Sequence, residues 1–138
     1  MDIIVGYDDS DCAKEALGAA VDVAGAFGDR IVVVYAYAPA ERLVGVEYRE
    51  IERALHEVGE QATAAATARL REAGVEFEIE LIPEKPARAL LAASEARSTR
   101  LIVVGTHGEG PLASALLGSV PHKLVHRSRV PVLIVPAR

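Results

Sequence analysis

Short apolar runs alternate with helical stripes along this 138-residue chain, and that alternation predicts an α/β fold. The expected architecture is a parallel sheet of five strands with helices on both faces. Two runs add weight. Ile31-Val-Val-Val-Tyr35 is β-branched and apolar without alternation, the pattern of a strand buried on both faces. Val75 to Ile82 alternates strictly between apolar residues and glutamates, the pattern of an edge strand that its charges protect from unwanted pairing. The length suits one domain spanning residues 1–138, with no internal repeat, low-complexity segment or linker.

The elements follow in order. Asp2 to Tyr7 (DIIVGY) is the first strand. Asp8-Asp9-Ser10-Asp11 then supplies helix-capping residues, with Asp9 and Ser10 best placed to cap. Ala13, Ala16, Leu17, Ala20, Ala24 and Phe27 make the first helical stripe, which Gly28-Asp29 ends. After the second strand Pro39 marks a loop. From about Leu43 to Ala73 a long helix carries Ile51, Leu55, Val58, Ala62, Ala66, Leu70 and Ala73 as its apolar face, with Gly74 as C-cap. Pro86 suits the first turn of a helix whose face is Ala87, Leu90, Leu91 and Ser94. Leu101 to Val104 is the fourth strand, Ser119 to about Ser128 the last helix, and Val130 to Val135 the fifth strand.

Composition narrows the function classes. Half of the chain, 51%, is hydrophobic but only 4% is aromatic, so the core is aliphatic and alanine-rich. The formal net charge of −5 argues against nonspecific binding to nucleic acid or to an anionic membrane surface. The one cysteine, Cys12, allows no intramolecular disulfide and fits a reducing compartment. No signal-peptide pattern opens the chain and no apolar run reaches membrane-spanning length, so a cytoplasmic protein is expected.

The stretch Gly105 to Ser119, GTHGEGPLASALLGS, holds the chemistry. In open α/β sheets ligands bind beyond the carboxyl ends of the strands, where strand order reverses. Gly105 and Gly108 permit a sharp turn and a close backbone approach, and Gly118-Ser119 repeats this where the last helix opens. A helix N-terminus offers unpaired N–H groups and partial positive charge, so two such turns form a phosphate cradle that needs no lysine. Other nucleotide motifs fail. Gly105 to Gly110 has the spacing of a P-loop, but Pro111-Leu112 follow where Lys and Ser or Thr belong. The first strand–helix turn contains no G-x-G-x-x-G.

Gly105-x-x-Gly108, nine residues, then Gly118-Ser119 resembles the G-x2-G-x9-G-[S/T] motif of the ATP-binding branch of the universal stress protein family. Leu116 to Val120, the closing Pro131 to Val135 and Asp8-x-Ser10 are similar to that family as well, so the resemblance covers the whole chain. It implies strand order 3-2-1-4-5 and a homodimer, which the apolar last strand, Val130 to Val135, would form at the sheet edge. It also implies that Asp8 and Ala36 contact the adenosine and that Val104 borders the adenine. Gly105, Thr106, Gly108, Gly118, Ser119 and Val120 match the ribose and phosphate positions. The implied ligand is ATP, with AMP or ADP as alternatives, and Mg or Mn carried by the phosphates. One position departs: after Gly-Ser-Val the family commonly has Ser or Thr, and here stands Pro121, which lacks both a hydroxyl and an N–H.

Other residues keep two readings. His107, between the loop glycines, is a phosphate contact or an exposed loop histidine. His122 and His126, four apart on a helix, fit a solvated face better than a metal pair lacking a third ligand. Cys12, in the first turn of a helix, reads as an inert small side chain before a redox group. Three functions stand side by side. The first is a nucleotide-dependent regulator with a role in stress tolerance. The second is a slow ATPase or autophosphorylating enzyme, for which the loop offers no lysine and no convincing base. The third is a nucleotide-free dimerisation module.

Overall fold

The computed structural model describes residues 1–37, 45–107 and 117–137, and of Val46 only the backbone. Pro39, the region around Leu43 and Gly108 lie outside the described residues. Among the described residues nine elements alternate: β1 (Asp2–Gly6), α1 (Asp11–Phe27), β2 (Arg30–Ala36), α2 (Val46–Ala73), β3 (Phe77–Ile82), α3 (Pro86–Glu95), β4 (Thr99–Gly105), α4 (Ser119–Arg127) and β5 (Val132–Val135). All strand pairs are parallel, and the sheet order is β3-β2-β1-β4-β5.

Period-two alternation divides the sheet between two cores. Ile3, Val5, Ile31, Val33 and Val103 face α1 and α2, where Ala16, Leu17, Ala20, Ala66 and Leu70 meet them. Ile4, Val32, Val34, Ile102 and Val104 face α3 and α4, against Ala89, Leu90, Ala93 and Leu124. The run Ile31–Val34 is therefore buried on both faces, as its lack of alternation requires.

The helix ends obey local chemistry. Ser10 is the α1 N-cap: its Oγ accepts from the Ala13 N–H at 3.2 Å. Gly28 and Gly74 close α1 and α2 in the left-handed conformation, at φ 70° each. Pro86 opens α3 in its first turn, where its missing N–H costs nothing.

Four stripe residues need correction. Phe27 is 60% exposed; rather than entering the core, its ring lies under the Arg100 guanidinium of β4 at 4.1 Å. Ile51, Val58 and Ala73 of α2 are also exposed. The inward face of α2 is carried by Gly59, Thr63, Ala66 and Leu70. The reason is close approach: a Cβ on Gly59 would stand 3.0 Å from the Tyr35 ring and 3.3 Å from Leu81. On the edge strand β3 the glutamates are not merely solvated. Arg97 bridges Glu78 at 3.1 Å and Glu80 at 2.5 Å, and Arg30 reaches Glu78 at 3.2 Å. The helix and strand bounds expected for the third, fourth and fifth strands shift by two residues or fewer.

Candidate nucleotide-binding site

The chain runs outward from β1 through β2 to β3, then returns to the other side of β1 as β4. The carboxyl ends of β1 and β4 thus flank the reversal point, where a crevice opens. Gly6, Tyr7 and Asp8 come to it from the end of β1, and Ser10 and Ala13 from the start of α1. Val34 and Ala36 come from β2, Val104, Gly105 and His107 from β4 and the following loop, and Val120 and Pro121 from α4. Pro86 and Leu90 of α3 complete the wall. The sequence offered no motif for these two. Only their place at the opening of a helix that follows a strand end could have pointed to this rim.

Of the residues singled out from sequence, Asp8, Ala36, Val104, Gly105, His107 and Val120 line the crevice. Thr106, Gly118 and Ser119 sit beside it and are not lining residues. Asp8 Oδ1 accepts from the Ser10 N–H at 3.0 Å and from Ser10 Oγ at 2.5 Å. The carboxylate is therefore fixed at the mouth by the same serine that caps α1.

The loop is drawn closed at its base. The Gly118 N–H donates to the Thr106 carbonyl at 2.7 Å. A Cβ at Gly118 would stand 3.0 Å from His107 Cα and 3.1 Å from the Thr106 oxygen. The absent side chain lets the end of β4 and the start of α4 touch. Gly105 lines the crevice and also has a packing use. A Cβ there would lie 2.4 Å from Cys12 Cβ and 2.9 Å from the Cys12 carbonyl carbon, so glycine lets the first turn of α1 sit on β4. Cys12 is buried, with its Sγ 3.5 Å from Thr106 Oγ1, and that hydroxyl is 3.1 Å from His107 Nδ1.

The electrostatics of the rim favour neutral phenols. Burial, then the hydrogen bond to Asp9 at 3.0 Å, pushes the Tyr7 hydroxyl well above its ordinary range. His122 and His126 stack edge to face at 4.8 Å on the exposed side of α4. Among the described residues no group of three or more His, Cys, Asp or Glu converges to hold a metal. No helix among the described residues is long and apolar enough to cross a membrane.

The universal stress protein family model matches residues 1–136. This chain belongs to the universal stress protein family. A universal stress protein of Thermus aquaticus is 37% identical over 134 residues, covering 96% of each chain. Among solved structures, the hypothetical protein MJ0577 superposes with a TM-score of 0.90 at 22% identity, covering 99% of this chain and 96% of that one, a likeness of fold. A universal stress protein in complex with cAMP is 27% identical, with a TM-score of 0.72, covering 100% of this chain and 98% of its own. Other solved universal stress proteins have been captured with dAMP or AMP.

Proposed function

We propose that this universal stress protein binds an adenine nucleotide in the crevice between β1 and β4 and acts through it as a regulator, changing its surface or oligomeric state with occupancy. The observation that carries the reading is the closed neck, where Gly118 donates to Thr106 beside a crevice walled by Asp8, Ala36 and Val104. Apolar Val34, Ala36, Leu90 and Val104 suit a base, and Asp8 suits the ribose hydroxyls as a charged acceptor. Ser119 and the first N–H groups of α4 suit phosphate, with Thr106, Gly108 and His107 contributing from the loop. The relative captured with cAMP supports an adenine nucleotide as the ligand. The resemblance makes ATP with Mg or Mn the reference ligand.

The same reading includes a homodimer through β5. That strand ends the sheet; its Leu133 is 37% exposed, and Val125 of α4 is 49% exposed. Pairing two copies of the edge would satisfy its backbone groups and cover these side chains. A role in stress tolerance in the cytoplasm completes the proposal.

The test is direct. Purified protein is heat-denatured, the precipitate removed and the supernatant analysed by liquid chromatography and mass spectrometry. Near-stoichiometric adenine nucleotide is expected. No copurifying nucleotide, together with no binding of added adenine nucleotides, would leave the loop as architecture and favour the nucleotide-free dimerisation module. A turnover assay with His107→Ala and Ser119→Ala separates regulation from catalysis; hydrolysis faster than occasional turnover and lost in both variants would favour the enzyme.

A further inference from the structure

We infer that α4 carries a surface chelate for a transition metal, in which His122 and His126 together hold one Cu(II), Ni(II) or Zn(II) ion. The site lies outside the crevice and stands independently of the nucleotide reading.

The helix makes the pair. Pro121 and Leu124 of α4 are buried, and His122 and His126, four apart, are exposed together on its outer side. Two histidines at this spacing on one helix face are a known zinc-binding arrangement. Here their ring centroids stand 4.8 Å apart with the planes at 70°. A metal about 2.1 Å from an imidazole nitrogen lies about 3.2 Å from that ring's centroid. Two rings 4.8 Å apart then subtend about 97° at the metal, between the octahedral angle of about 90° and the tetrahedral angle of about 109°. The rings are thus already spaced as two ligands of one ion, and rotation about χ2 at an exposed site can aim a nitrogen of each toward it. A third protein ligand, whose lack counts against the pair in the sequence, is not required for a chelate. Once one imidazole has bound, the second is present at high effective concentration, and water fills the remaining positions.

Charge and ligand type decide the class of ion. Lys123 and Arg127, each next to one of the histidines, are exposed cations and disfavour an ion held by charge alone. His126 lies in the last turn of α4, where the unpaired carbonyls partly offset them. Bonding to imidazole nitrogen must supply the rest. That bonding suits copper, nickel and zinc, with copper strongest, whereas magnesium and calcium prefer oxygen ligands.

The experiment is isothermal titration calorimetry of the full chain, without an affinity tag and freed of nucleotide and chelators, with Ni(II), Cu(II), Zn(II) and Mg(II). Binding of Ni(II) is expected, with Cu(II) tighter and Mg(II) undetected. His122→Ala and His126→Ala should each weaken Ni(II) binding by about tenfold or more, because each removes the chelate. His56→Ala should leave it unchanged. The substituted positions of α4 are exposed and alanine favours helix, so these variants keep the fold. His126→Ala combined with Arg127→His keeps the number of histidines but sets the two imidazoles five residues apart, off a common face. It should bind as weakly as the single variants. In NMR spectra the imidazole signals of His122 and His126 should broaden together when a fraction of an equivalent of Ni(II) is added. Absence of Ni(II) binding, or Mg(II) bound as tightly as Ni(II), would overturn the inference. So would Ni(II) binding that survives the loss of either histidine or the shifted spacing, or broadening confined to His56 or His107.

Discussion

Single positions carry separable jobs at this site. Gly105 is a packing glycine: the nearest atoms to an added Cβ include the Cys12 carbonyl carbon and oxygen at 2.9 and 3.0 Å, which no side-chain change removes. Gly105→Ala should therefore lower stability by about 1–3 kcal/mol through forced separation of α1 from β4. Urea unfolding measures this, and adding Cys12→Gly should rescue it only in part. Full rescue would mean that the side chain alone was the obstacle. Asp8 should behave in the opposite way. Asp8→Asn keeps an acceptor for Ser10 but removes the charge, so nucleotide affinity should fall about tenfold or more with little change in unfolding midpoint. Titration calorimetry beside a urea curve distinguishes the two. Ser10→Ala removes the α1 cap and should cost about 1 kcal/mol.

At the scale of elements, the helices hold the crevice by their ends and the core by their flanks. α1 buries Ala13, Ala16, Leu17, Ala20 and Ala24, mostly small residues that let the helix pack closely on the sheet. α2 approaches so closely that Gly59 replaces a larger residue over Tyr35. The edge strand β3 depends on Arg97, whose guanidinium spans Glu78 and Glu80. Arg97→Met keeps the stem but leaves two glutamates facing each other. Because those carboxylates are 37% and 27% exposed, solvent screening limits the loss to about 1 kcal/mol. The loss should shrink in high salt, which weakens the repulsion. A salt-independent loss would assign the effect to packing rather than charge.

For the molecule as a whole, the acid limb of stability follows from ion pairs at the amino ends of the strands. A hydrogen bond from Arg100 holds the Asp29 carboxyl below its ordinary value of 3.8. A hydrogen bond from Arg30, 2.9 Å away, does the same for Asp2. A depressed carboxyl contributes stability that is fully present above its ordinary value and is lost as pH falls through the lower folded value. Unfolding midpoints should thus stay level from neutral pH down to about 5 and drop below about 4. Asp29→Asn should flatten that drop; an unchanged acid limb would move its origin elsewhere. Assembly is tested at the same scale. Removing residues 132–138 should yield a monomer or an aggregate by light scattering, and a truncated chain that stayed a stable dimer would rule out the β5 edge.

Periodicity and punctuation determined the order of elements, the doubly buried β2, the edge character of β3 and the caps at Ser10, Gly28 and Gly74, because each depends on neighbours within a turn or two. The glycine spacing from Gly105 to Gly118 marked the loop proposed to hold the nucleotide, and a family resemblance attached ligand roles to it. Which residues would share the crevice was less legible. Pro86 and Leu90 carry no motif; the return of the chain to β4 on the far side of β1 brings α3 to the rim. Phe27, Ile51 and Val58 keep helical phase yet face solvent, because phase names a side of a helix and not how far the sheet extends beneath it. The use of Gly105 was decided by a contact with Cys12, far away in the chain. Local sequence sets local conformation, while such contacts exist only once strand order has placed α1 over β4.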